Sequence, residues 1–242
     1  MNYIKPGVKM SINVLVLSGE GINCETETAN AFELAGAQTT QVHLTDFLEL
    51  DDLNQFDILA FPGGFSYGDE IRSGKILAEK IRLKQYDNLI KFVEAKKPII
   101  GICNGFQILT QLGLFNEVAP ITLSHNNHDK FIDLWVELKL ANNNSLWLKD
   151  LPETLLMPVR HKEGRISGDF ASDQMALNYQ QDINGSRMMC AGLTNKDGNV
   201  LGLMPHPEAA IKEFLLPHSF EKANHNLQIF KNAVEYAKRI KQ

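Results

Sequence analysis

The chain has 242 residues, 44% of them hydrophobic and 22% charged, and a formal net charge of −5. That composition suits a globular protein able to bury a full core, and an acidic balance with no Lys/Arg block or basic helix face excludes nucleic acid and anionic membrane as expected partners. The N-terminal stretch MNYIKPGVKM lacks an apolar signal core, and no run approaches the roughly 18 apolar residues of a bilayer span, so a cytoplasmic protein is expected.

In chain order, INVLVL (Ile12 to Leu17) is a short β-branched run ending in the turn SGEG, and ETETANAFELAGA has helical periodicity closed by Gly36. QVHL is a second strand, and FDILAF (Phe56 to Phe61) is a third, broken by Pro62, Gly63 and Gly64. GKILAEKIRLKQYDNLIKFVEAKK predicts one long amphipathic helix. PIIGI (Pro98 to Ile102) is a fourth strand, with the helix NGFQILTQL directly behind it. After Gly113 the pattern changes: FIDLWVELKL, TLLMPVRH, MALNYQ, MMCAGLTN and NVLGLMPH are short strand-like runs with turn signals such as KDGN between them. NLQIFKNAVEYAKRI closes the chain as a helix, and the sequons at Asn143 and Asn184 read as loops. Strands spaced by helices imply right-handed crossovers. The expected fold is therefore α/β, an open and mostly parallel sheet with helices on both faces and additional antiparallel strands in the second half. A single domain over residues 1–242 is expected.

Ligands of such sheets bind beyond the carboxyl ends of the strands, where SGEGINCE, PGGFSYGDE and CNG stand. The three cysteines, Cys24, Cys103 and Cys190, are widely spaced and lack a CxxC pair, which argues against a disulfide framework or a zinc site. Only Cys103 has glycines two residues to either side, Gly101 and Gly105, at a strand-to-helix junction. The pattern matches a nucleophile elbow, whose tight turn needs neighbours without side chains. At a helix N-terminus the dipole and free N–H groups favour a thiolate, and the Asn104 N–H is placed to receive an oxyanion. The competing reading is a small cysteine packed in a turn. Cys24 and Cys190 lack such a frame and read as structural.

A cysteine nucleophile calls for a histidine base. Of seven histidines, His206 in MPHPE is held between prolines that keep it out of the helical region. Glu208, two residues on, points the same way along extended backbone and can accept the ring N–H. A proline-rich exit turn with an incidental histidine is the alternative. His125 and His128 in SHNNHDK lack a metal-ligand pattern, while His161 ends a strand-like run and can line the same cleft. Gly63 and Gly64 let backbone approach a substrate and offer a second oxyanion N–H. GGFSYG does not fit GxGxxG, DEIRSGKI lacks parts of the phosphate-loop pattern, and GEGINC has Cys24 at the third glycine position, so nucleotide binding is not expected.

GICNGFQ, with PGGFSYGDE upstream and MPHPE downstream, resembles the class I (triad) glutamine amidotransferases. The likeness covers nearly the whole chain: LSGEGINCE, PGGFSYGD, GICNGFQILTQLGL, NNHDKFIDLWV, RHKEGR, INGS and GNVLGLMPHPE fall in the family's order. FSYGD, CNGFQ and INGS are more particular to its purine-pathway members. The resemblance implies that family's fold, with Cys103 as nucleophile, His206 as general acid/base and Glu208 as its orienter. It further implies an oxyanion hole at Gly64 and Asn104, substrate contacts at Gln107, Phe65 and His161, and no metal or cofactor on this chain.

The implied reaction hydrolyses glutamine to glutamate and ammonia through a cysteine thioester. By the same resemblance the ammonia passes to a large synthetase subunit that uses ATP and Mg to convert formylglycinamide ribonucleotide to its amidine, with a small accessory subunit in the complex. Three positions depart from the family's wording. Ser73 replaces Cys or Ala in the RxG segment, His128 replaces a small hydroxyl, and Leu134 stands where a basic residue is common. Two other readings use the same residues: a stand-alone Cys-His-Glu hydrolase of γ-glutamyl or peptide bonds, and a non-catalytic scaffold subunit.

Overall fold

Short apolar runs become the strands at the centre of the molecule. In a computed structural model that describes residues 11–69, 73–141, 144–217 and 224–241, β1 (Asn13–Ser18), β3 (Ile58–Phe61), β4 (Ile99–Ile102) and β11 (Val200–Leu203) are almost wholly buried. Strands covered on both faces take continuous apolar sequence, as these do. MNYIKPGVKM, Glu70 to Arg72 of the segment after PGGFSYGD, and Asn143 lie outside the described residues.

The remaining elements are α1 (Glu25–Leu34), β2 (Gln38–His43), α2 (Leu44–Phe47), α3 (Lys75–Lys84), α4 (Tyr86–Glu94), α5 (Asn104–Gln111), β5 (Thr122–Ser124), β6 (Ile132–Leu140), β7 (Thr154–His161), β8 (Arg165–Ser167), β9 (Met175–Tyr179), β10 (Cys190–Thr194) and α6 (Asn226–Ile240). Nine strands form one sheet in the order β2-β1-β3-β4-β11-β10-β9-β6-β7. The β2 to β11 half is parallel, and the β11 to β7 half is antiparallel. The second half of the chain therefore supplies the antiparallel strands, as expected, but it also returns β11 to the parallel half. β5 and β8 pair in a separate two-stranded sheet.

One predicted element divides. The long helix expected from GKILAEKIRLKQYDNLIKFVEAKK is two helices, α3 and α4, joined at Gln85 with φ −127° and ψ 0°. Gln85 is buried, and its side-chain amide donates to Leu50 O at 2.7 Å. A tertiary contact, absent from any local pattern, sets the bend. Two helix pairs brace the sheet. Phe32 of α1 meets Phe230 of α6 edge-to-face, with ring centroids 5.0 Å apart, while α5 lies against α3. Gly105 lets α5 touch the sheet, since a Cβ there would stand 1.8 Å from Phe61 O. No helix among the described residues is long and apolar enough to cross a membrane.

Candidate active site

The parallel register of β4 and β11 assembles the site. Gly101 pairs with Gly202 and Ile102 with Leu203, so the chain leaves both strands at one level, as Cys103 on one side and Met204-Pro205-His206 on the other. β3 pairs Phe61 with Gly101 and brings PGGF to the same end.

Cys103 has φ 50° and ψ −104°, a conformation that costs a non-glycine residue about 1–3 kcal/mol. Hydrogen bonds hold it there: its N–H donates to Leu203 O at 2.7 Å, and its carbonyl accepts the Gln107 N–H at 3.1 Å. The glycines of the elbow serve helix packing, because a Cβ on Gly101 would lie 2.7 Å from the Gly105 carbonyl. The Cys103 thiol is nearly buried and lies 3.6 Å from Arg160 O.

His206 donates its backbone N–H to Pro158 O at 2.9 Å. Its Nδ1 lies 2.6 Å from Glu208 Oε1, and both side chains are buried. The route to that contact differs from the extended segment predicted. Pro207 has φ −63° and ψ −34° and opens a turn over Glu208–Ala210, so a turn brings the carboxylate under the ring. Burial opposes a charge on His206, but the Glu208 carboxylate and the Cys103 and Cys24 thiols outweigh it and raise the pKa well above its ordinary value. The opposite ring atom, Nε2, has no hydrogen-bond partner among the described residues.

The two expected oxyanion donors lie on linked segments. Gly64 bridges Ile22, but the bonds that close this bridge run from Asn23 N to Gly63 O and from Phe65 N to Gly21 O. The Gly64 N–H is outside that ladder. Only glycine fits here: φ is +151°, and a Cβ would lie 2.6 Å from Gly21 O. Asn104 is the first residue of α5, where a backbone N–H has no intrahelical partner. Its side chain accepts the Ser66 N–H at 3.2 Å and donates to Gln107 Oε1 at 2.9 Å.

A cleft of about 360 Å³ opens over Cys103, with Gly64, Phe65, Gln107 and His161 all in its wall. His206 and Glu208 are not part of that lining. Gln107 Nε2 donates to Glu163 O at 2.6 Å. Phe65 is half-exposed and pairs with Phe131 across 6.4 Å. His161 is buried, its Nδ1 3.1 Å from Asn126 Oδ1, and burial followed by the charges of His206 and His128 lowers its pKa to about 3. It is a neutral wall. Of the departures, Ser73 lines the cleft and gives its N–H to Glu163 Oε2 at 3.2 Å. His128 Nε2 faces Ile183 O at 3.1 Å, and Leu134 is exposed.

Two residues escape the sequence reading. Glu163, inside the RHKEGR segment, joins Ser73, Gln107 and His125, whose Nε2 lies 2.9 Å from Glu163 Oε1. Cys24, expected to be structural, stands with His206 and Glu208, each offering a ligand atom within 4.8 Å of the others. Cys190 is structural as expected. It is fully buried, it donates to Gly192 O, and desolvation pushes its thiol up to about 12.

Comparison with known proteins places the chain among relatives. Residues 11–237 match the CobB/CobQ-like glutamine amidotransferase domain. The chain is 37% identical to phosphoribosylformylglycinamidine synthase subunit PurQ of Methanococcus maripaludis strain S2, covering 95% of this chain and 98% of that one. It is 34% identical to the same-named subunit of Dehalococcoides mccartyi over 95% and 99%. Among solved structures, PurLQS from Thermotoga maritima superposes with a TM-score of 0.79 at 32% identity, covering 94% of this chain and 99% of that one. A glutamine amidotransferase from Thermotoga maritima, at 14% identity, shares the fold with a TM-score of 0.62 over 94% and 98%.

Proposed function

The chain belongs to the CobB/CobQ-like glutamine amidotransferase family, and from that premise we propose that it is the glutaminase subunit of a phosphoribosylformylglycinamidine synthase. Relatives carrying that subunit name match it along nearly their whole lengths, and the superposable Thermotoga maritima structure is named PurLQS.

In the proposed reaction, Cys103 Sγ attacks the side-chain amide carbon of glutamine. The oxyanion takes hydrogen bonds from the Gly64 and Asn104 N–H groups, donors fixed before the charge develops. His206 hands a proton to the departing ammonia, leaving a thioester. The same ring then deprotonates a water that hydrolyses the thioester, releasing glutamate and restoring the thiol. Glu208 holds the ring tautomer throughout. These steps ask for no metal or organic cofactor on this chain.

The observation that carries the reading is the buried 2.6 Å contact of His206 Nδ1 with Glu208, behind a thiol held at positive φ. The direct test is ammonia release from glutamine by the full chain and by Cys103→Ala. A loss of about a thousandfold or more is expected, and retained activity would overturn the assignment.

Ammonia released into water near neutral pH becomes ammonium, a poor nucleophile, so the product needs an acceptor enzyme docked over the cleft. We assign that role to a large synthetase subunit that consumes ATP and Mg and converts formylglycinamide ribonucleotide to its amidine. A small accessory subunit completes the complex, in the cytoplasm. Glutaminase turnover should be low for the isolated chain and rise on assembly.

A further inference from the structure

Cys24 has no part in the steps above, yet the fold sets it in the same cluster. It precedes α1, and its N–H donates to Gly63 O at 3.2 Å. Its Sγ, a ring nitrogen of His206 and a carboxylate oxygen of Glu208 all lie within 4.8 Å of one another. At Gly63, a Cβ would stand 2.7 Å from His206 Cε1 and 3.3 Å from Cys24 Sγ.

Two further facts point to a ligand. His206 and Glu208 are 3% and 1% exposed, and Glu208 Oε2 is buried without a hydrogen-bond partner among the described residues. Buried polar atoms left unpaired are costly. A thiolate, an imidazole and a carboxylate together form a donor set for a borderline-soft divalent cation, with zinc the best match.

We propose that Cys24, His206 and Glu208 form an inhibitory zinc site. Binding displaces the Cys24 thiol proton and the proton shared by His206 and Glu208, and the cation takes their place. Tetrahedral ligation with bonds of about 2.0–2.3 Å sets ligand atoms about 3.5 Å apart. His206 Nδ1 and Glu208 Oε1, joined at 2.6 Å, have to spread to that distance, and Cys24, which is only partly buried, has to move in. A ligated His206 no longer moves protons, and Glu208 no longer orients it. The inhibition rests on the glutaminase reading, whereas the binding stands on geometry alone. Cys103 lies outside the ligand set, which distinguishes this site from simple poisoning of the nucleophile.

The test titrates the metal-stripped full chain with zinc against a chromogenic chelator, and follows glutamine hydrolysis at the same zinc levels. One equivalent per chain is expected. Cys24→Ala and Cys24→Ser, checked for folding by circular dichroism, should each weaken binding by about tenfold or more, while Cys103→Ala and Cys190→Ala bind as the wild type does. Inhibition of the wild type should reverse with EDTA and require correspondingly more zinc in the Cys24 variants. No zinc retained, unchanged affinity in both folded Cys24 variants, or loss of binding in Cys103→Ala would overturn the proposal. Zinc binding by a chain that never hydrolyses glutamine would uphold the site and refute the functional reading.

Discussion

Asn104 Oδ1 accepts the Ser66 N–H at 3.2 Å, so the residue whose backbone supplies one proposed oxyanion donor also tethers the loop that carries the other. That side chain links the two segments directly, beside the β3–β4 pairing and the backbone bonds that tie Gly63 and Phe65 to the loop after β1. Asn104→Ala should keep the backbone donor and loosen the loop. The expected result is kcat lower by about tenfold or more with KM little changed, because an aligned pair of donors acts on the transition state. A change confined to KM would show that the tether serves binding instead.

Glu208→Gln should move the alkaline limb of the glutaminase profile to lower pH. The wild-type carboxylate keeps His206 protonated well above the ordinary histidine range, against the opposing effect of burial. An amide removes the largest raising influence and leaves the burial, so the ring loses its proton earlier as pH rises. Activity should fall by at least about tenfold, and an unmoved limb would remove Glu208 from the orienting role. The rate of Cys103 alkylation against pH gives an independent reading.

His161 should make the protein acid-sensitive. Its folded pKa, lowered to about 3, lies below the unfolded value of about 6.5, so only the unfolded chain takes up the proton between them. The stability from this group is complete above pH 6.5 and declines as pH falls towards 3, by about 1.4 kcal/mol per unit. The stability advantage of the wild type over His161→Gln should therefore shrink by about 2 kcal/mol between pH 7 and pH 5. Urea midpoints at the two pH values measure it.

Gly105→Ala should be among the most damaging single methyl additions in the chain. The new Cβ would sit 1.8 Å from Phe61 O, a backbone atom of a central strand. Neither partner can turn aside, so α5 has to lift from the sheet. A loss of about 3 kcal/mol or more is expected, together with reduced glutaminase activity as the elbow shifts. Denaturant unfolding that leaves the midpoint in place would show that α5 can adjust.

What is legible in the sequence is what local chemistry decides. The fourth strand, the elbow at Cys103 and the helix behind it follow from apolar runs and glycine spacing, and the prolines of MPHPE mark His206. The break at Gln85 is illegible, because glutamine is a good helix former and the bend depends on a bond to Leu50 O, distant in the chain. β5 and β8 are three residues each, too short to show a period. The alternation rule makes the approach of Glu208 extended because it ignores the turn that Pro207 allows. Cys24 stands alone in the sequence because its company is made by strand ends meeting in space.

That meeting has a temporal side. Cys103 and His206 follow neighbouring strands, β4 and β11, that are separated by about a hundred positions along the chain, and all of the antiparallel half lies between them. Closing so large a loop is an entropic cost deferred until that intervening half has folded. A chain emerging from the ribosome therefore displays Cys103 long before His206, its proposed partner, is made. On the proposed mechanism, glutamine hydrolysis waits until β11, the last strand, takes its place in the middle of the sheet.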